Sequence, residues 1–272
     1  MNDLMIATGL LYVLSAAGYI LFLFFQKQYF HRLGHIFLAT GFLCNSIVIG
    51  YHYAQTGQAP VRNLQETLLV VGWAIAGVYF AFHYKFRIKI LGGYAALLAA
   101  LSLVASILSS AKYVEPQPIF HSIWLIIHVI SIFIAHSAFA LACGVGFLYI
   151  IQENAIKQKK QGFFYKRLPS LNLLDSTGYA CIVTGFTLLT IGLITGFVYA
   201  NTVWGRYWSW DPKEVWSGIV WLLYAAILHG RLAIGWRGRK AAIMAIIGFA
   251  VVLFTFFGVN FLFKGHHGVF TR

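Results

Sequence analysis

Long apolar runs separated by short polar segments make up nearly the whole chain. Each run has about 20 residues or more, which as a helix crosses the roughly 30 Å hydrocarbon core of a bilayer. A backbone in lipid must satisfy its hydrogen bonds within its own segment, so each run is predicted to be a helix. The pattern predicts an all-α polytopic membrane protein with one transmembrane domain over 1–272 and eight spans, at about 4–25, 33–54, 64–83, 90–110, 119–152, 177–199, 214–234 and 241–263.

The polar segments between the runs are too short to form a soluble domain. The longest, QENAIKQKKQGFFYKRLPSLNLLDS at 152–176, is predicted to be a loop. The chain begins MNDLMIATGLLYVL, with no basic segment before the first apolar run and no small-residue cleavage site. We therefore expect no cleavable signal peptide.

Lysines and arginines concentrate in alternate connections, which predicts an orientation. Fourteen of them follow spans 1, 3, 5 and 7, and six lie on the other side. Because cytoplasmic loops carry the excess of Lys and Arg, both termini and the connection after span 6 are predicted to lie outside. The net charge of +13 is explained by this distribution and by attraction to the anionic lipid bilayer, so we expect no nucleic-acid partner.

Composition agrees with the membrane assignment, since 60% of the residues are hydrophobic and 10% are charged. Cys44, Cys143 and Cys181 all lie inside predicted spans and form no C-x-x-C pair. We expect them to be packing residues, because disulfide exchange needs an accessible, activated thiol.

The connection after span 6 is unusually rich in tryptophan. The stretch WGRYWSWDPKEVWSGIVW, at 204–221, contains five of the eight tryptophans of the chain. Its second half has the features of a helix start, with Asp211 as N-cap, Pro212 at the first helical position and Glu214 at the third. These features favour a structural role for Glu214 over a chemical one.

The first half of the stretch has more tryptophans than membrane anchoring requires. Four of them lie in the 13 residues 204–216, whereas an interfacial belt uses one or two at a helix end. Rigid aromatic faces with Arg206 nearby suit a large planar ligand that has an apolar body and an acidic edge. Haem fits this description, and an interfacial belt is the alternative.

Histidines near the same depth are candidate iron ligands. The uncharged run 119–152 has 34 residues, roughly 50 Å as a helix, so its outer part projects beyond the membrane core. This places His128 at the outer interface, level with the tryptophans, and His266 and His267 emerge on the same side after span 8. Two imidazoles from different helices can bind a haem iron from both faces. An exposed tail is the alternative for the His266–His267 pair.

The other histidines are expected elsewhere. His229 lies 13 residues beyond Trp216 in span 7, about 20 Å along the axis, so it cannot reach the same iron. It belongs either to a second, inner site or to the interface beside Arg231. His136 is predicted to pack on a different face of span 5 from His128. Interfacial or loop roles are expected for His31, His35, His52, His83 and His121.

The segment WGRYWSWDPKEVW resembles the tryptophan-rich WWD signature of the haem-handling proteins of cytochrome c maturation. HSIWLIIHV, WLLYAAILHGR and FFGVNFLFKGHHG are similar to the CcsA (ResC) branch in the same order. The resemblance runs from about Ile119 to the C-terminus, and the eight spans agree with it. The CcmC branch has fewer spans, and the CcmF branch is far longer.

The resemblance implies a subunit of the system II cytochrome c synthase, a haem lyase that acts with a CcsB (ResB) partner. In such a complex, haem b is taken from the cytoplasmic side, passed outward and attached through its vinyl groups to the CxxCH motif of apocytochrome c. The membrane would be the bacterial inner membrane or the thylakoid membrane. The WWD segment at 200–216 would lie on its periplasmic or lumenal side.

Roles for single residues follow from the same resemblance. His128 and His267 correspond to the two outer axial ligands, and His229 corresponds to a ligand of the inner membrane site, whose second histidine comes from CcsB. His266 stands where an apolar residue is expected, which leaves His266 or His267 as the second outer ligand, and His136 stands where a tyrosine is expected. The haem-contacting segment comprises Trp204, Gly205, Arg206, Trp208, Trp210, Asp211 and Trp216.

Two other functions use similar residues. A haem exporter without attachment chemistry would need the same sites. A b-type electron-transfer subunit is a weaker alternative, because such proteins bind haem with histidine pairs in the middle of their spans. The chain itself supplies no thiol nucleophile, and its expected contribution is to orient haem.

Overall fold

The computed structural model describes residues 2–109, 121–159, 162–163 and 165–262. Eight helices in this part of the chain are long and apolar enough to cross a membrane. The predicted eight-helix membrane protein is therefore confirmed. The helices are α1 Asn2–Phe25, α2 Gln28–Thr56, α3 Leu64–Phe86, α4 Lys89–Leu108, α5 Ile123–Lys157, α6 Leu171–Trp204, α7 Pro212–Ala233 and α8 Arg239–Leu253; a π-helical turn at Phe254–Gly258 joins α8 to a short α9 at Val259–Leu262.

The two longest helices exceed the thickness of a bilayer. α5 has 35 residues and α6 has 34, which correspond to about 50 Å each. Among the described helices, these two have the most extensive contact with each other. We call the end of the bundle where α6 stops and α7 starts the tryptophan end, and the opposite end the basic end.

Part of the predicted 152–176 loop is helical. α5 continues to Lys157, where Glu153 pairs with Lys157 at 2.9 Å and with Arg239 at 2.9 Å. At the other side of the connection, the side chain of Ser170 accepts a hydrogen bond from the backbone of Leu173 at the start of α6. Both helices therefore extend beyond their apolar runs, because ion pairs and a cap stabilise their polar ends.

Glycines of α6 let α5 approach closely. A Cβ atom at Gly185 would lie 2.5 Å from the Phe139 ring, and one at Gly192 would lie 2.6 Å from Ile132. Both contacts are too short for any side chain larger than hydrogen. The glycines therefore fix the distance between the two helices that carry the candidate site.

The cysteines take no part in disulfide bonds. Cys143 and Cys181 are buried and Cys44 is partly buried, and all three are free. Their position inside the helix bundle agrees with the packing role predicted for them.

Candidate functional site

A cavity opens between α5, α6 and α7 at the tryptophan end. Its volume is about 1480 Å³ when all space up to its open mouth is counted. Its polar wall is formed by His128, His136, Lys213 and Glu214, and most of the rest is apolar or aromatic. Small-molecule pockets usually measure about 300–1,000 Å³. Counted to its open mouth the cavity is larger than this range, so it has room for a ligand of that size.

His128 has a defined orientation in this cavity. Its Nδ1 lies 2.6 Å from the carbonyl oxygen of Gly192. A carbonyl can only accept, so Nδ1 carries the proton and donates. In a neutral ring this leaves the lone pair on Nε2, which is the arrangement found in metal-binding histidines.

A second glycine of α6 makes room for the same ring. A Cβ atom at Gly196 would lie 2.7 Å from Nδ1 and 2.8 Å from Cε1 of His128. The imidazole therefore lies against bare backbone of α6, and the sequence of α6 determines where the ring is held.

The chain turns from α6 into α7 through two left-handed residues. Gly205 has φ 68° and its N–H donates to Asn201, which ends α6. Trp210 has φ 57°. Positive φ is easily adopted by glycine and is uncommon for a tryptophan. The turn therefore depends on a positive φ at both Gly205 and Trp210.

The predicted helix start at Asp211 is confirmed. Its carboxylate accepts from the backbone of Lys213 at 2.9 Å, and Glu214 accepts from the backbone of Asp211 at 3.3 Å, which completes a capping box. Glu214 also accepts from the backbone and the hydroxyl of Ser209, both at 2.8 Å. Glu214 thus has the structural role favoured by the sequence. Its hydrogen bonds with Ser209 link the tryptophan segment to the first turn of α7.

The tryptophans of the segment point in different directions. Trp204 lines the cavity. Trp208 packs edge-on against Phe197 with ring centroids 5.7 Å apart, and Trp216 packs against Phe254 at 4.7 Å. Trp210 is 78% exposed. The segment therefore contributes one tryptophan to the cavity wall and presents another as an exposed aromatic face.

The cation at the cavity is Lys213 and not Arg206. Arg206 is exposed and does not line the cavity, whereas the partly buried Lys213 does. Within the described residues, no carboxylate oxygen lies within 4.0 Å of the Lys213 ammonium. Sequence reasoning missed Lys213 because its position in the helix-start motif suggested only a structural context.

His136 lines the same cavity as His128, so its predicted place on a different face is wrong. The two residues are eight positions apart, which corresponds to about 80° around a helix. This separation is small enough for one cavity between α5 and its neighbours to contain both rings.

Of the remaining proposed ligands, only His229 lies in the described part of the chain, and it does not line the cavity. His266 and His267 lie outside the described residues. His229 is exposed on α7. The nearby Arg231 makes two short hydrogen bonds to Asp175, at 2.6 and 2.8 Å.

His31, for which an interfacial or loop role was expected, lies in the first turn of α2, where it is buried and packs with His35 and His83. His52 joins a buried ion pair, since its Nε2 lies 3.0 Å from Arg62 and 3.3 Å from Glu66. Local sequence patterns could not predict these groupings, because they join residues from different helices.

Comparison with known proteins gives one consistent family. Residues 61–267 match the family model described as cytochrome C assembly protein. The chain is also similar to proteins named cytochrome c biogenesis protein CcsA. The one from Guillardia theta is 33% identical over 96% of this chain and 93% of its own length. The one from Gloeothece citriformis is 33% identical over 88% of each chain, and the one from Chlamydomonas reinhardtii is 35% identical over 79% of this chain and 62% of its own.

Proposed function

The chain belongs to the CcsA family of cytochrome c biogenesis proteins, and from that premise we propose that it is the haem-presenting subunit of a cytochrome c synthase. Haem b is its substrate, and a CcsB-like membrane protein is its partner. The complex passes haem from the cytoplasmic side to the tryptophan end and holds it there for attachment to the CxxCH motif of apocytochrome c. The proposed membrane is the bacterial inner membrane or the thylakoid membrane.

The observation that supports this proposal best is the hydrogen bond from His128 to Gly192. It gives the neutral ring the tautomer in which Nε2 can bind iron, at the wall of a cavity large enough for a substantial ligand. His267, or its neighbour His266, is the proposed second ligand. The family resemblance is the support for that assignment.

The chemistry of the cavity wall suits haem. Apolar side chains and Trp204 fit the ring and its vinyl groups, and the ammonium of Lys213 fits a propionate. A partly buried cation that forms no ion pair within 4.0 Å among the described residues gains from an anionic ligand group, because the interaction is stronger in an environment that contains little water. Trp208, Trp210 and Trp216 complete the proposed contact segment, with Trp210 available at the surface to the incoming peptide or to haem.

The inner site is proposed at His229. An ionisable side chain exposed on a membrane helix is expected to have a functional partner. Such a partner fits the histidine that the resemblance assigns to CcsB. The nearby Arg231 is paired with the Asp175 carboxylate.

The chain needs no nucleophile for the attachment step. The thiols of apocytochrome c add to the vinyl groups, and this protein contributes by placing haem beside them. Holding two reactants in the correct geometry converts a bimolecular step into an effectively unimolecular one. His128, Lys213 and Trp204 are the residues of this chain proposed to fix that geometry.

The test is co-expression of this chain with a CcsB-like partner and a CxxCH reporter, scored for covalently bound haem. We expect His128→Ala to abolish the covalent product, and added imidazole to restore part of it by filling the vacated site. His121→Ala is the matched control, because His121 is exposed at the same end of the bundle. Normal product in His128→Ala without imidazole would refute the ligand assignment. Haem that accumulates outside without a covalent product in the wild type would favour an exporter.

A further inference from the structure

Three histidines and two tyrosines form a polar cluster at the basic end of α1, α2 and α3, outside the tryptophan-end cavity. The ring centroids of His31 and His35 are 6.0 Å apart, those of His31 and His83 are 6.1 Å apart, and those of His35 and His83 are 5.1 Å apart. His31 and His35 are four residues apart on α2, so they share one face of that helix. Pairs with this spacing are a common zinc-binding arrangement.

Two tyrosine hydroxyls each lie within hydrogen-bond distance of Nδ1 of one of these histidines. The hydroxyls of Tyr19 and Tyr79 lie 3.0 Å apart. Tyr19 lies 3.3 Å from Nδ1 of His35, and Tyr79 lies 3.2 Å from Nδ1 of His83. Because the two hydroxyls bond to each other, every proton has an acceptor when Tyr19 donates to Tyr79 and Tyr79 donates to Nδ1 of His83, whose ring also bonds to the backbone of Ile88. Nδ1–H of His35 then donates to Tyr19, and Nε2 of His35 carries the lone pair. This is the outer-shell arrangement that orients metal-binding imidazoles.

The third histidine has a buried nitrogen without a partner. Nε2 of His31 is buried and makes no hydrogen bond, and the residue is only 9% exposed. Edge-on contacts with Tyr19 and Phe22 enclose the ring. A buried polar atom without a partner is costly, so its presence calls for a ligand or a water molecule.

The spacing of the rings is close to that of a three-histidine metal site. With metal–nitrogen distances of about 2.0–2.1 Å, three imidazoles on one ion have ring centroids roughly 5.2–5.5 Å apart. Among the described residues, no three ligand side chains already form a metal-binding group. Binding therefore requires the rings to turn, since those of His31 and His35 are within 14° of parallel, and the final torsion of a histidine side chain is soft.

We propose that the His31–His35–His83 cluster binds a late first-row transition-metal ion of the Zn²⁺ or Cu⁺ type. Three neutral imidazoles suit these ions, whereas Mg²⁺ and Ca²⁺ prefer oxygen ligands. This site goes beyond the proposed function, because it uses none of the residues assigned to haem. Either proposal can fail without the other.

The test measures bound metal on the purified full-length chain carrying a tag without histidines. The protein is stripped with a chelator, loaded separately with Zn²⁺ or Cu⁺, desalted and analysed for metal per chain. We expect the wild type to hold one equivalent more than His31→Ala, His35→Ala or His83→Ala. His121→Ala and His52→Ala are the controls and should retain the wild-type equivalent. A metal ion bound by the His266–His267 pair would be present in the wild type and in every variant. It therefore does not change the difference in metal content between them.

A spectroscopic readout separates a metal site from a packing role. Co²⁺ bound by three imidazoles should give visible d–d absorption that each cluster variant loses. Tyr79→Phe keeps the three ligands and removes an orienting hydroxyl, so the affinity should fall roughly 10–100-fold with unchanged stoichiometry. If the alanine variants do not fold, His31→Gln provides the same comparison with a polar side chain. Equal metal content in the wild type and in a folded cluster variant would overturn the proposal.

Discussion

The position of His128 depends on a residue that has no side chain. Its ring lies against Gly196 and donates to the carbonyl of Gly192 one turn earlier on α6. A ring that is held by backbone on one side and lines the cavity needs little reorganisation before it binds a ligand. This is the pre-organisation expected of a residue that contacts a ligand directly from a rigid helix.

Gly196→Ala should therefore impair haem binding while leaving the fold intact. The added methyl group would lie 2.7 Å from Nδ1, so the ring must move and its bond to Gly192 must lengthen or break. We expect a several-fold loss of covalent haem on the reporter. Gly50→Ala is the matched control, because a Cβ atom there meets nothing within 4 Å, and both substitutions bring the same gain in helix propensity. Equal product from the two variants would contradict the importance of this contact.

At the residue scale, sequence reasoning placed His128 and missed its surroundings. The depth argument for run 119–152 put the histidine at the tryptophan end, where the structure has it beside Trp204 in one cavity wall. The sequence could not show that the carbonyl of Gly192, the ammonium of Lys213 and the ring of His136 lie around the same cavity as His128. Their arrangement depends on how α5, α6 and α7 are rotated against each other, which local patterns do not encode.

The start of α7 is the element that joins the tryptophan segment to the cavity. The capping box of Asp211 and Glu214 fixes the first turn, and that same turn carries Lys213 and Glu214 into the cavity wall. Local capping chemistry thus determines the position of residues proposed to contact the ligand. Such a motif can be read from sequence because all its partners lie within three residues.

Asp211→Ala should destabilise this helix start, and Asp211→Asn should not. Loss of an N-cap side chain costs about 0.5–2 kcal/mol, whereas asparagine caps as well as aspartate. We expect a lower thermal midpoint and less covalent haem for Asp211→Ala, with Asp211→Asn near the wild type in both. The midpoint can be followed by circular dichroism in detergent. If Asp211→Asn loses as much product as Asp211→Ala, the carboxylate charge matters beyond capping.

The eight helices could be predicted because each apolar run is long enough to cross a membrane. The positions of some helix ends could not be predicted. α5 runs on to Lys157 through the pairing of Glu153 with Lys157 and Arg239, and Arg239 is 86 residues away in the chain. An apolar run indicates only the part of a helix that meets lipid. The polar extension depends on tertiary partners, so hydropathy alone ends the helix too early.

At the scale of the whole molecule, the two proposed haem positions lie near opposite ends of the α5–α8 half. His128 lines the cavity near the start of α5, and His229 is four residues before the end of α7. The proposed direction of haem movement therefore depends on which end faces outward. The basic residues predict it, because fourteen of them follow spans 1, 3, 5 and 7.

Cysteine labelling in intact cells tests this orientation. Tyr207 is 61% exposed at the tryptophan end, and Arg237 is exposed in the connection between α7 and α8 at the basic end. We expect a membrane-impermeant maleimide to label Tyr207→Cys in intact cells and Arg237→Cys only after permeabilisation. The wild type gives the background, which should be low because Cys143 and Cys181 are buried and Cys44 is partly buried. The reverse pattern would place the His128 cavity on the cytoplasmic side, where apocytochrome c could not receive haem from it after export.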